Sequence, residues 1–289
     1  MGLDKIFVAG SGLMGSGIAQ VCAQAGKTVV LYDLDAAALA KALKNISWSA
    51  AKLVEKGRVQ GSVEEIMNRV TAATDLSEVA SADLVIEAVF ENLEVKRELF
   101  RLINDRLGPE AVAASNTSAI PITEIAAAVS RPENFLGLHF FSPVPMMAAV
   151  EVVKGMATSA ETMEKGRRFV LEIGKEPIMV HRDVAGFVIN RINFPSAIEA
   201  MRLVEAGVAS VEDIDKGLRL ASGRKMGIFE TGDLVGLDVT HGAMLAMFHE
   251  TGEERWYPPL LPRRKVKAGR LGRKTGSGWY EYDENGNKK

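Results

Sequence analysis

The sequence predicts an α/β chain, a doubly wound parallel sheet followed by an all-α C-terminal domain, and three observations predict it. A glycine-rich turn, GSGLMG over residues 10–15, stands between a short apolar strand and a helix. Strand-like and helix-like segments then alternate as far as His181, the rhythm of a parallel sheet covered by helices. Beyond His181 only helical patterns follow, which places a domain boundary near Val184: residues 1–184 form one domain and 185–289 the other.

The elements follow in order. Ile6 to Ala9 reads as the first strand and a helix begins around Leu13; the second strand, Thr28 to Tyr32, ends in Asp33. A long helix, about Asp35 to Lys56, carries Leu39, Leu43, Ile46 and Leu53 at helical spacing. Its length suggests that it projects as a hairpin with the next helix, which opens at Ser62 with Glu65 in capping-box position. Strands are expected at Val70–Ala73, Asp83–Val89 and Val112–Ala114, with an amphipathic helix, ENLEVKRELFRLINDRL, before the last. Further strands fit Asn134–Phe140, Val150–Lys154 and Pro177–Val180, with a helix from Ser159 to Ile173 between the last two. The helical part reads Gly186–Glu205, Val211–Leu220, Thr231–His249 and Pro258–Ala268, and the polar tail DENGNKK reads as a frayed end.

Composition narrows the function classes. A chain of 289 residues with 47% hydrophobic and 25% charged residues suits two ordinary globular domains. A net charge of −2 gives no broad basic surface for nucleic acid. No apolar run has the length of a membrane span. The single cysteine, Cys22, allows no internal disulfide, and Asp4 and Lys5 lead into a strand without a signal-peptide pattern; both fit a cytoplasmic protein. No metal is called for.

The chemistry starts at the glycine turn. After a strand and before a helix, Gly10 makes the tight turn, Gly12 lets a pyrophosphate approach the backbone, and Gly15 lets helix and strand pack closely. Asp33, about twenty residues on, stands where an acid binds the ribose 2′-hydroxyl. The reading is a Rossmann-type domain that prefers NAD to NADP, since no arginine follows the acid. Asp33 could otherwise be a turn residue capping the next helix, a role open to Asp35 as well.

A bound NAD calls for a proton acceptor if the substrate is an alcohol being oxidised, and histidine is best matched to that near neutral pH. Of four histidines, His181, His241 and His249 fit surface or capping roles, whereas His139, in GLHFFSPVP, ends a predicted strand at the edge that carries the glycine turn. Glu151 lies twelve residues later inside the apolar strand MAAVEVVKG. A buried acid needs a partner, and His139 is the economical one; alternatively Glu151 faces solvent at a sheet edge.

These residues sit in blocks that together resemble one family. GSGLMGSGIAQ, LYD, EAVFENLEVK, SNTSAIPIT, GLHFFSPVP, VEVVKG, DVAGFVINRI, VEDIDKGL, GLD and LGRKTGSGWYEY resemble, in order and over nearly the whole chain, the 3-hydroxyacyl-CoA dehydrogenase family, including the bacterial 3-hydroxybutyryl-CoA enzymes. The resemblance implies a Rossmann domain, a helical domain that dimerises, and NAD-dependent oxidation of an L-3-hydroxyacyl-CoA. It implies His139 as the base, Glu151 as its partner, and Ser118 and Asn190 at the reacting substrate. With Asn190 in the second domain, the substrate would lie in an interdomain cleft.

For the cofactor it implies the turn (Gly10, Gly12, Leu13, Met14, Gly15) with Asp33, Glu91, Lys96 and Asn116, and for coenzyme A it implies Ser49 and Lys56. The chain departs from the family pattern at Ser142, at Ala148 and at KMGIFET, where relatives often read PMGPFEL. These departures leave the acyl group open. Two alternatives stand beside this reading: a related NAD-dependent dehydrogenase of a free hydroxy acid or sugar acid, and a non-catalytic NAD-binding protein.

Overall fold

The computed structural model describes residues 2–289 and divides into two compact units, one ending at Phe187 and the other spanning Val188–Lys289. In the first unit β1 (Lys5–Ala9), α1 (Leu13–Gln24), β2 (Thr28–Tyr32), α2 (Ala36–Glu55), α3 (Val63–Met67) and β3 (Val70–Ala73) form one half. The other half is β4 (Leu84–Glu87), α4 (Leu93–Asn104), β5 (Val112–Ser115), α5 (Ile122–Ala126), β6 (Phe135–Phe140), β7 (Ala149–Val153), α6 (Ala160–Glu172) and β8 (Glu176–Val180). The eight strands form a single sheet in the order β3-β2-β1-β4-β5-β6-β7-β8, which is the doubly wound arrangement expected.

Alternate side chains of a strand point to opposite faces, and β1 shows the result. Ile6 and Val8 join the core on one side of the sheet, Phe7 and Ala9 the core on the other. A strand buried on both faces reads as a continuous apolar run, which is why KIFVA and LVIE carry no polar alternation. Because chain order reverses between β1 and β4, the carboxyl ends of these two strands flank an open crevice, the usual ligand site of such sheets.

Three features of this unit differ from expectation. The sheet is not wholly parallel, because β7 runs antiparallel to β6. Residues 141–148 are too few for the crossover that a parallel pair requires, a dozen residues or more. The long α2 pairs with α3 as expected but does not project away from the sheet: Leu39, Ala42, Ile46 and Ala50 belong to the sheet's core, and α2 also packs on α1. A short α5 also follows β5. At α3 the Ser62–Glu65 capping box forms in both directions.

The second unit contains α7 (Ile189–Glu205), α8 (Val211–Ser222), α9 (Ile228–Val235), α10 (Leu237–Thr251) and α11 (Leu260–Lys267). The single helix expected over Thr231–His249 is broken into α9 and α10 at Gly236, whose φ of 108° lies outside helical geometry. Two fully buried carboxylates tie this unit together. Asp215 accepts the backbone N–H groups of Phe229 and Glu230 and the Tyr280 hydroxyl, all at 2.9 Å, and so caps α9 from α8. Asp233 accepts the N–H groups of Trp279 and Tyr280 and the Tyr282 hydroxyl at 2.8–2.9 Å.

Glycine makes that approach possible, since a Cβ at Gly227 or Gly278 would lie 2.1 Å from the aspartate it faces. The VEDIDKGL and GSGWYEY blocks therefore serve as a structural staple. The tail is also ordered, contrary to expectation. Asp283 accepts from the Asn285 and Asn287 N–H groups, and Lys288 pairs with Glu230 at 3.0 Å.

Candidate active site

At the end of β1 the three glycines have three different surroundings. Gly10 adopts φ 106°, and a Cβ there would lie 2.6 Å from the Ala88 carbonyl oxygen. A Cβ on Gly15 would lie 1.8 Å from the Gly10 carbonyl oxygen, so only glycine lets α1 come this close to the turn. At Gly12 a Cβ would meet nothing within 4 Å. Packing therefore does not require glycine there, while a ligand approaching the backbone would. Gly12 is the N-cap of α1 and no side chain caps the helix, so the N–H groups of its first turn, which includes Leu13 and Met14, are suited to an anion.

Asp33, just past β2, is held by that turn. Its Oδ2 accepts from the Ser11 N–H at 2.8 Å and the Ser11 hydroxyl at 2.7 Å, and its Oδ1 accepts from the Asp35 N–H at 3.1 Å. Burial alone would raise its pKa, but these hydrogen bonds outweigh it and hold the carboxyl below the usual aspartate value. Large apolar side chains stand exposed at the ends of the same strands: Leu13 is 71%, Leu34 82% and Phe90 83% exposed. An anion-binding turn, a fixed carboxylate and an apolar rim together fit the phosphates, ribose and rings of a dinucleotide.

The next strand ends form a closed ring of polar contacts. Glu87, the last residue of β4, is completely buried and takes Lys96 Nζ at 2.7 Å, the Ser115 hydroxyl at 2.5 Å and the Val89 N–H at 2.8 Å. Lys96, from the first turn of α4, also reaches Glu91 at 3.1 Å. Glu91 Oε1 in turn accepts from the Thr117 hydroxyl (2.7 Å), the Ser118 N–H (2.8 Å) and hydroxyl (3.2 Å), and the Ala119 N–H (3.2 Å). The Thr117 N–H donates to the Ser115 hydroxyl oxygen at 3.2 Å, which closes the ring.

Burial pushes the Glu87 carboxyl up despite Lys96. Burial also disfavours the Lys96 ammonium, but its two carboxylates outweigh that and raise its pKa. Glu91 is lowered: burial opposes ionisation, and Lys96 with the Thr117 and Ser118 donors overcomes it. Asn116 joins this group to the next strand, because its Oδ1 accepts the Phe140 N–H at 2.9 Å.

His139 and Glu151 are directly paired across the antiparallel β6–β7 ladder. Residues paired in this way carry side chains on the same face, and His139 Nδ1 lies 2.6 Å from Glu151 Oε2, with Glu151 fully buried. A carboxylate on Nδ1 selects the tautomer and stabilises an imidazolium, which leaves Nε2 as the nitrogen able to take a proton. Two phenylalanine rings flank the imidazole: Phe141 at 4.5 Å and Phe187 at 5.7 Å between centroids. Phe187 is buried with φ 44°, a left-handed conformation that costs a non-glycine residue about 1–3 kcal/mol and concentrates at functional sites. The loop between β6 and β7 is pinned by Lys175, whose Nζ donates to the Val144 and Met147 carbonyl oxygens.

The other predicted residues are carried by other elements. Ser49 sits half-buried within α2 and Lys56 is exposed at its C-cap. Asn190 is the second residue of α7, in the second unit. Within KMGIFET, Lys225 is exposed while Ile228 and Phe229 are buried in their own unit, Phe229 against Trp279. Sequence reasoning missed Ser11, Glu87, Ser115 and Thr117. The one signal for Glu87 was an acid closing an apolar strand. Among the described residues no group of three or more His, Cys, Asp or Glu side chains could hold a metal ion.

Residues 5–184 match the 3-hydroxyacyl-CoA dehydrogenase NAD-binding domain, and residues 186–282 match the C-terminal domain of the same enzymes. The chain belongs to the 3-hydroxyacyl-CoA dehydrogenase family. It is thus an oxidoreductase with an NAD-binding domain. This dehydrogenase is 41% identical over 285 residues to a probable 3-hydroxybutyryl-CoA dehydrogenase of Bacillus subtilis, covering 98% of this chain and 99% of that one. It is also 41% identical to the 3-hydroxyadipyl-CoA dehydrogenase of Escherichia coli, covering 97% of this chain and 59% of that one. Among solved structures it resembles the (S)-3-hydroxybutyryl-CoA dehydrogenase of Ralstonia eutropha, with a TM-score of 0.90 and 37% identity over 98% of this chain and 100% of that one.

Proposed function

We propose that this dehydrogenase catalyses the reversible oxidation of an L-3-hydroxyacyl-CoA to the 3-ketoacyl-CoA. The observation that carries the proposal is the buried His139–Glu151 pair, 2.6 Å apart, in the unit that holds the glycine turn. Bound NAD would supply the hydride acceptor, held by the α1 N-terminus, Asp33, Glu91, Lys96 and Asn116. Nε2 of His139 takes the 3-hydroxyl proton, and Glu151 stabilises the imidazolium that results. The Ser118 hydroxyl donates to the oxygen as it gains negative charge, which is where a placed donor is worth most. The family resemblance assigns Asn190 to the substrate, and Ser49 and Lys56 to coenzyme A.

A homodimer through the helical unit is part of this reading, supported by the exposed apolar residues Ile192, Val208 and Leu220. A cytoplasmic setting is supported by the buried free thiol of Cys22; no helix among the described residues is long and apolar enough to cross a membrane. Relatives at the same 41% identity carry butyryl and adipyl names, so identity does not select the acyl group.

The test is NADH consumption by the purified protein over a panel of 3-ketoacyl-CoA substrates that varies chain length and includes a terminal carboxylate. Wild type should turn over at least one strongly, and His139→Gln should lose on the order of 10²-fold or more while still binding NADH. Near-normal turnover in that variant would overturn the assignment. A pantetheine-truncated substrate used as well as the full CoA ester would remove Ser49 and Lys56 from it.

A further inference from the structure

Glu87 has no role in the reaction as drawn, yet it is costly to keep. It is 0% exposed at the end of an otherwise apolar strand, between Ala9 of β1 and Ser115 of β5. A buried ion pair is commonly no more stabilising than well-packed apolar side chains in its place. Stability alone therefore does not account for a carboxylate here. Its partners do, because Lys96 and Ser115 lead directly to Glu91 and Thr117, which hold the Ser118 turn.

We propose that Glu87 is a positioning residue that fixes the Ser118 hydroxyl indirectly, by two arms. One arm runs through Lys96 to Glu91, and the other through the Ser115 hydroxyl to the Thr117 N–H. Both arms converge on the turn of residues 116–119, which carries Ser118. Lys96 is 1% exposed and its ammonium is shared between two carboxylates. With Glu87 uncharged, the ammonium keeps only a neutral acceptor there and is drawn more strongly to Glu91, where it competes with the Thr117, Ser118 and Ala119 donors. Glu91 keeps 39% of its side chain exposed, so without the tether its carboxylate is free to follow Lys96 or turn to solvent. The inference rests on the proposed function for its kinetic consequence, while the positioning itself does not depend on it.

Glu87→Gln tests this, since the amide keeps the volume and can still accept from Lys96 and hydrogen-bond Ser115 while losing the charge. Amide hydrogen exchange should speed up at residues 117–119, with β1 and the rest of β5 unchanged. In turnover, kcat should fall about tenfold with KM for the acyl-CoA nearly unchanged, and the loss should be largely absent when Glu87→Gln is added to Ser118→Ala, because groups in one hydrogen-bond network couple rather than add.

Glu87→Asp should lie between wild type and Glu87→Gln. Should Glu87→Gln not fold, Ser115→Ala cuts the second arm and must show the same exchange and the same coupling to Ser118→Ala. Unchanged exchange in the turn, or losses that simply add, would overturn the inference; a structural role predicts such additivity together with a lower melting temperature. A wild type inactive on every 3-ketoacyl-CoA would instead refute the proposed function, and the exchange result would still decide the positioning role.

Discussion

Substituting Gly12 and Gly15 separately should uncouple cofactor binding from folding, although they are three residues apart in one turn. A Cβ on Gly15 would lie 1.8 Å from the Gly10 carbonyl oxygen, about half an ordinary carbon contact of 3.5 Å. The obstacle is backbone, which cannot rotate aside as a side chain would. Overpacking costs about 1–3 kcal/mol, and the upper end applies where backbone must move. At about 2–4 °C per kcal/mol for a unit of this size, Gly15→Ala should lower the melting temperature by about 6–12 °C.

Gly12 has φ −63°, open to any residue, and no neighbour within 4 Å. Alanine is a poorer N-cap than glycine by about 0.5–1 kcal/mol, so the melting temperature should fall by only about 1–4 °C. The new methyl group would occupy the phosphate's approach, and the NADH dissociation constant should rise by about tenfold or more, equivalent to about 1.4 kcal/mol. Thermal melts followed by NADH titration of each variant measure both effects. Wild-type NADH affinity in Gly12→Ala, or a wild-type melt in Gly15→Ala, would refute the reasoning.

Other changes separate the remaining roles. Glu151→Gln keeps the shape opposite His139 but removes the charge that stabilises the imidazolium, so kcat should fall on the order of 10²- to 10⁴-fold with NADH affinity retained; a fall confined to KM would contradict it. Asp33→Ala should raise KM for NAD and weaken discrimination against NADP. Because the folded pKa of Asp33 is depressed, its stabilising contribution is present above the unfolded value of about 3.9 and lost as pH falls through the lower folded one. NADH affinity should therefore hold its Asp33 contribution down to about pH 4, and an earlier loss that Asp33→Ala abolishes would contradict this. Asp233→Asn turns an amide N–H toward groups that are all donors, at a cost of about 1–3 kcal/mol for each one left unpaired. The second unit should melt earlier while NADH affinity stays unchanged, and an unaltered melt would count against the staple.

The parts of the fold legible in the sequence are those that local physics encodes. Apolar runs and their period marked the eight strands, and the capping pair Ser62 and Glu65 marked the start of α3. The helix break at Gly236 was not legible, since a glycine inside a helical pattern does not reveal in sequence that its φ is positive. Of the site, His139 and Asp33 could be singled out because each ends a strand on the ligand edge. Ser115 and Thr117 carried no such mark, and Glu87 only that of an acid closing an apolar strand, because what gives them a role is partners brought in from other elements.

The sequence by itself determined that a glycine turn between strand and helix opens a doubly wound sheet, because strand period, helix period and the intolerance of that turn for a Cβ are all written within a few residues. Only the tertiary structure decided that Glu151 stands opposite His139 and that Glu87, Lys96 and Glu91 close on the Ser118 turn. Those meetings depend on the reversal of β7, on strand register and on sheet order, which hold together residues far apart along the chain and leave no local periodicity by which to read them.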